Sequence, residues 1–384
     1  MTIEQQLLIG AVKASVTGKP FSLETQPNWS ALMKLARAHG VEALVFDGLQ
    51  KSSISMPDTV LQALNGAYMQ AIFRDTQQDY CKTQLQAALE EAGVEHIFLK
   101  GTVLKHSYPV PALRTMCDLD ILIHAEDFEK IDRIAKTLGG NQLPGDGNHR
   151  NYIFDQVAVE FHPNLLHHAT PIGTGINPGW QYAKDMHTVS KELTAEGFYL
   201  NTICHLAHHF ASGGVGVRFV VDVWVNTHLH TPQPDKAFVE TELTRFGLLD
   251  FARKIEQLAD AWFGDGAMTP LLEELGEYIL TSGSHGTTDR AMLNALSLSP
   301  CGNRTCALLK KAFYPKAELE DRFPWCKGKP LLLPAAWCCR AFTAVTAHGH
   351  LIKKWSKETG NIHKAQVAQH REKLRRFGIH KDKS

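Results

Sequence analysis

Residues 96–123 read HIFLKGTVLKHSYPVPALRTMCDLDILI, and the architecture of the chain hangs on them. Val94 to Leu99 is an apolar run of strand length, Lys100-Gly101-Thr102 turns into a short helical segment, and Cys117 to Ile123 forms a second strand. Side chains alternate along a strand, so Asp118 and Asp120 share one face while Leu119 and Ile121 point into the core. Two carboxylates side by side repel each other, and a cation between them relieves the repulsion. Mg²⁺ suits such a place, because it is held by one or two carboxylates together with substrate phosphates. A bare Asp-x-Asp is also common by chance and then reads as a solvated strand edge.

Downstream, Asn151 to Phe154 and Val157 to His162 flank Asp155-Gln156 as the two arms of a tight hairpin. In VAVEFH, Glu160 and His162 share the face opposite Val159 and Phe161. If this strand neighbours the first, Glu160 joins Asp118 and Asp120, as in a two-metal phosphoryl-transfer centre whose ions lie about 3.5–4 Å apart. The competing reading is an acid on the wet side of a hairpin. Upstream, Gly101 lets a phosphate approach the backbone, Thr102 adds a hydroxyl and Lys100 a charge. Any tight turn favours Gly, so this turn alone says little.

Taken together, residues 96–123 resemble the signature of the polymerase-β-type nucleotidyltransferase superfamily, and more narrowly a bacterial "nucleotidyltransferase family protein" branch with the pattern LKG, Tyr-Pro, then Arg and Asp-x-Asp. The superfamily's Gly-Ser turn corresponds to Gly101-Thr102 and its metal-binding aspartates to Asp118 and Asp120. Its third carboxylate, followed two residues on by His, corresponds to Glu160, a Glu where Asp is commoner. TICHLAHHFASGGVGVRFVVDVWV (202–225) and the Pro-rich piece from Phe313 to Arg340 are similar to flanking segments of that branch. The resemblance implies transfer of a nucleoside monophosphate from an NTP such as ATP, with pyrophosphate release and two Mg²⁺ ions on Asp118, Asp120 and Glu160. Glu160 would also help deprotonate the acceptor hydroxyl, and Lys100, Gly101 and Thr102 would cradle phosphates. The acceptor is not implied: a hydroxyl or a phosphate group, on a small molecule, a protein or an RNA.

Further residues have two readings each. Arg114 either binds triphosphate oxygens with its forked guanidinium or forms an ion pair that relieves the Asp118–Asp120 repulsion. Gly213, Gly214 and Gly216 precede Arg218 and Asp222: an anion-binding turn lining the cleft, or a helix connection with an Arg218–Asp222 pair at i, i+4. His205, His208 and His209 share a helix face and with Asp222 suggest a metal phosphohydrolase, although a packed or substrate-facing helix explains them better. A third reading is a catalytically silent nucleotide-binding protein.

The surroundings are helical. Residues 1–92 form a helical N-terminal region, with apolar faces at Leu7, Leu8 and Val12, at Trp29, Leu32, Leu35 and Ala36, and a long helix from Thr59 to Glu91 closed by Gly93. Residues 93–170 are the mixed core, with an amphipathic helix over 125–138. Beyond a Gly/Pro-rich loop at 171–179, residues 171–352 are helical over Leu200–Phe210, Phe219–Leu229, Leu248–Trp262 and Pro270–Leu280. The expected class is α+β: a small polymerase-β-like palm, its sheet mixed or antiparallel, between helical regions.

The 384 residues balance 40 Lys and Arg against 40 Asp and Glu, with 44% apolar residues, which excludes a disordered or uniformly basic chain. The balance conceals a basic tail: residues 353–384 carry ten Lys or Arg against three acids. A solvated helix end explains it better than a nucleic-acid contact, since only Trp355 and Phe377 offer stacking. No run of apolar residues has membrane-span length and the N-terminus lacks an export signal, so a cytoplasmic protein without a membrane partner is expected. Eight cysteines lack zinc or CxxC spacing; vicinal Cys338 and Cys339 read as small buried residues of a helix rather than as a redox-active pair.

Overall fold

The computed structural model describes all residues except 24, 144–148, 167–168, 171, 175–178, 285, 300–315, 343–361 and 381–384. Its N-terminal helices are α1 (Ile3–Thr17), α2 (Trp29–His39), α3 (Glu42–Lys51) and α4 (Asp58–Glu91). A capping box starts α1: the Gln5 amide donates to the Thr2 hydroxyl, and the Thr2 amide to the Gln5 side chain. α2 ends at Gly40, whose φ of +64° costs a glycine little, and α3 follows at once, too close to be separated by periodicity. α3 then crosses α1 at Gly48, where a Cβ would lie 1.8 Å from the Ala11 carbonyl oxygen, so only glycine permits this packing.

α4 joins two cores. Val60, Leu64 and Ala71 belong to the large apolar cluster of the helical regions. Cys81, Leu85 and Leu89, further along the same 34-residue helix, belong to the core beneath the sheet. The helix is about 50 Å long at 1.5 Å per residue, so it spans both.

The sheet contains β1 (His96–Phe98), β2 (Asp118–Ile123), β3 (Asn141–Gln142), β4 (Arg150–Phe154) and β5 (Val157–His162). After a separate small hairpin, β6 (Ala169–Thr170) and β7 (Gly173–Thr174), it gains β8 (Ser190–Lys191). The order is β3-β4-β5-β2-β1-β8, with β2–β5 and β1–β8 parallel and the other pairs antiparallel. Asp155 (φ +45°) and Gln156 (φ +73°) form the expected two-residue turn between β4 and β5, both central residues being left-handed as a right-twisted hairpin demands. The short α5 (Gly101–Leu104) follows β1, and α6 (Phe128–Thr137) follows β2 after a 3₁₀ turn at Ala125–Asp127. Leu119, Ile121, Val159 and Phe161 pack beneath the sheet with α4 and α6, leaving Asp118, Asp120, Glu160 and His162 on the other face.

That face looks toward α7 (Ala195–Ser212) and α8 (Val217–His228), which are backed by α9 (Lys236–Arg245), α10 (Leu249–Phe263), α11 (Pro270–Leu280) and α12 (Thr288–Ser297). α9 and α12 are absent from the periodicity because each buries only two large apolar side chains, Val239 and Leu243, and Met292 and Leu296. α13 (Lys316–Arg322) and α14 (residues 333–342) surround a small satellite cluster of Leu319, Cys326 and Ala336. Cys338 and Cys339 lie on that helix but are exposed, contrary to the expected burial, because so small a cluster covers only one side of it.

The basic end of the chain also departs from expectation. α15 (Lys364–Arg376) docks on the body: Leu374, Phe377 and Ile379 are buried in the large core. Lys373 and Arg376 pair with Glu274 at 3.3 and 2.8 Å, and Arg371 donates to the carbonyls of Ser297 and Ser299. Charge dominates the composition, but a few apolar residues at its end decide the docking. Residues 353–361 of the tail, Cys301, Cys306 and most of the 171–179 loop lie outside the described residues. The chain is thus α+β, a mixed sheet embedded among helices. Among the described residues no helix is long and apolar enough to cross a membrane.

Candidate active site

The parallel register of β2 and β5 sets Asp120 opposite Glu160 and Leu122 opposite His162. Donor atoms of Asp120, Glu160 and His162 lie within 4.8 Å of one another. His162 Nε2 donates to Asp120 Oδ1 at 2.9 Å and lies 3.4 Å from Glu160 Oε2. Lys100 Nζ donates to the same Asp120 oxygen at 2.6 Å. Lys100 reaches it from an unusual backbone, φ +52° and ψ −124°, between β1 and α5. Non-glycine residues hold such conformations only where the surroundings enforce them, commonly at functional sites. The next residue leaves no room for a larger one unless its neighbours shift: a Cβ at Gly101 would lie 2.5 Å from Met116 Sδ and 3.0 Å from Arg114 Nη1.

The two aspartates are electrostatically unequal. Burial, with the charges of Asp120 and Glu160, pushes Asp118 up to about 6. Burial acts on Asp120 in the same sense, but Lys100 and His162 outweigh it and hold that carboxyl well below the usual range. The face thus carries more carboxylate than its own cations neutralise. An oxygen-rich set of this kind, with one imidazole beside it, fits a hard divalent cation.

Across from the sheet, Arg114 forms a forked pair with Asp222 of α8, Nε and Nη2 each 2.7 Å from a carboxylate oxygen. Tyr108 donates to the same carboxylate at 2.7 Å. The direct ion pair of Arg114 is therefore with a carboxylate of α8, and Asp118 acts on it only through its nearby charge. The Arg218–Asp222 pair does not form either; Arg218 Nη1 donates to the Thr115 carbonyl at 2.9 Å. Burial and the nearby Arg114 lower the pKa of Arg218. Gly213, Gly214 and Gly216 are buried against Ser282, Ser284 and Gly286, so they form a packed connection between helices.

Lys100, Gly101, Arg114, Asp118, Asp120, Glu160 and Arg218 line one cleft of about 310 Å³ between sheet and helices. Thr102 is not brought there: it is buried, its hydroxyl has no hydrogen-bond partner, and it borders a separate cavity behind α5. His205 and His209 of α7 line the cleft with their Nε2 atoms 2.9 Å apart. Burial, with Lys100 nearby, drives the pKa of His205 well below its ordinary value. These histidines face the cleft without converging on Asp222, whose oxygens Arg114 and Tyr108 occupy.

Sequence reasoning missed the direct contact of His162 with Asp120, the role of Tyr108 in fixing Asp222, and Asn201, which lines the cleft with its buried Oδ1 lacking a partner. His162 was visible as the residue sharing a strand face with Glu160. Asn201 gave no signal, because only the packing of α7 against the sheet brings it there.

A family model described as "uncharacterised nucleotidyltransferase" matches residues 25–264, which include the whole sheet and the walls of the cleft. No curated protein matches the chain. No solved structure matches it either.

Proposed function

Because the chain belongs to that family of nucleotidyltransferases, we propose that it transfers a nucleoside monophosphate from a Mg²⁺-bound NTP to an acceptor hydroxyl in this cleft. The observation that carries the reading is the register of Asp120 with Glu160 on the face that also bears Asp118, opposite two arginines. Asp118, Asp120 and Glu160 would hold the metal, which supplies charge neutralisation for the phosphates and the departing pyrophosphate.

In this reading the chain's own groups do the positioning. Lys100, which lies on Asp120 in the cleft, would donate to a phosphate oxygen, and the glycine beside it would let the phosphates approach. Arg218 faces the phosphates from α8, while Arg114, fixed by Asp222, ties the segment before β2 to that helix and so holds the wall of the cleft in place. Glu160 takes the acceptor's proton. The acceptor oxygen bonds to the α-phosphorus, the bond from that phosphorus to the α–β bridging oxygen breaks, and pyrophosphate leaves with the electron pair. A phosphohydrolase built on the histidines is less well supported, since Asp222 is already saturated and His205 and His209 contact each other.

The test is incubation with α-labelled NTPs and Mg²⁺ in cell extract, following label transfer and pyrophosphate. Asp118→Asn and Asp120→Asn are each expected to lower transfer by about 10³-fold or more. Wild-type rates in both variants would refute the mechanism.

A further inference from the structure

A second pocket, of about 590 Å³, adjoins the cleft and shares Met116, Cys117 and Arg218 with it. Its size falls in the range of small-molecule sites, roughly 300–1,000 Å³. One wall is α2 and the start of α3, another the middle of α4, and the far side the loop Ser282–Ser284. The lining side chains leave an imbalance of charge. Arg37 is matched by Glu42 at 3.0 Å. Among the described residues Arg74 has no carboxylate partner, and Arg218 donates to the Thr115 carbonyl and lies over the Phe219 ring without an ion pair to Asp222, which Arg114 takes. The first turn of α3, whose N-cap Val41 provides no side-chain acceptor, also borders the space.

We propose that this pocket is the acceptor subsite and that it takes a small hydroxyl-bearing molecule with an anionic group, a phosphate or a carboxylate. The inference rests on the nucleotidyl-transfer reading. Arg74 binds the anion, Arg218 stands on the boundary between it and the nucleotide phosphates, the small residues Ala43 and Ala67 leave room for the carbon skeleton, and the hydroxyl end points past Cys117 toward Asp118. The transferred group, pyrophosphate and the proton go where the reaction above already sends them.

The test uses full-length protein, α-labelled NTP with Mg²⁺, and small molecules from a cell extract split by anion exchange into acidic and neutral fractions, beside the macromolecular fraction. Two variants alter only the pocket: Arg74→Glu reverses its charge and Ala67→Trp fills it. Binding of a fluorescent Mg·NTP analogue is measured in parallel. Label is expected in the acidic fraction, and both variants should lose about ten-fold or more of that transfer while binding Mg·NTP within about two-fold of wild type. Prior phosphatase treatment of the acidic fraction distinguishes the anions: it abolishes labelling of a phosphate ester and spares a carboxylate. Label only in neutral or macromolecular material, label in none, or transfer unchanged in both variants overturns the acceptor subsite while intact Mg·NTP binding leaves the parent reading standing. Equal loss of nucleotide binding in the variants assigns the pocket to the NTP and also overturns it. Failure of the wild type to bind Mg·NTP removes the parent reading and this one together.

Discussion

Lys100 and Asp120 meet at 2.6 Å, and the carboxylate oxygen that receives the ammonium also receives the imidazole of His162. A buried acid of the cleft is therefore held ionised by two groups that a metal or a phosphate can displace. Lys100 does this from a left-handed φ, so backbone and charge effects are separable at one position.

Replacing Lys100 by Ala and by Gly removes the ammonium in both cases, but only Gly relaxes the backbone. The Gly variant is expected to be more stable than the Ala variant by about 1 kcal/mol, the reverse of the usual order within regular structure. Chemical denaturation of both proteins measures it. Equal stability would show that φ at this position carries no strain.

The Arg114–Asp222 fork is a buried ion pair, and removing one partner strands the other. Asp222→Leu is expected to cost about 3–5 kcal/mol, and Arg114→Met a similar amount. The double variant Arg114→Met/Asp222→Leu should recover most of that loss without recovering transfer. A double-mutant cycle on denaturation midpoints, run beside the label-transfer assay, separates stability from activity.

His370 gives the fold a dependence on acid. Burial, with Arg290 and Lys373 nearby, lowers its pKa to about 4, and its Nε2 donates to Asn294 Oδ1 at 2.6 Å. The folded state favours the neutral ring, so this contribution is complete above the unfolded value near 6.5 and is lost as pH falls from there through 4. Allowing for solvent screening, the loss is on the order of 1–2 kcal/mol. Stability measured from pH 7 to 4 should fall less steeply in His370→Gln than in wild type; parallel curves would contradict the assignment.

Cys117 is an exposed thiol at the junction of the cleft and the adjoining pocket, whereas Cys81 and Cys204 are buried. Mg·NTP is expected to slow its alkylation by about five-fold or more while Cys338 and Cys339 react unchanged. Peptide mass spectrometry after timed iodoacetamide exposure reads each site.

Strand alternation made the sheet and its acidic face legible. Leu119 and Ile121 point one way and the two aspartates the other, and the hairpin around Asp155 is local. The parallel pairing that carries Glu160 to Asp120 lay one conditional step beyond, because a strand's neighbours are set by the whole sheet and not by its own residues. Less was legible where a side chain has a choice of partners. Arg114 and Asp222 are 108 residues apart, and Asp222 had a nearer cation, Arg218, at helical spacing. Packing of α8 against the sheet chose the distant one. Thr102 shows the same limit: one residue along the helix, about 100° round its axis, turns its hydroxyl away from the cleft that Gly101 borders.

The placement of Phe377 has a consequence for biosynthesis. Its ring sits beside Phe210 and Tyr278, with centroids 6.1 and 5.5 Å away. On the ribosome those two rings emerge long before their plug, and the contact between them spans a large part of the chain. During that interval the helices behind the cleft present an uncovered aromatic socket, a surface that invites chaperones or aggregation. A chain stopped after Ile362 is expected to bind a hydrophobic dye strongly and to fail in nucleotide binding, and supplying residues 363–380 as a peptide in trans should reverse both.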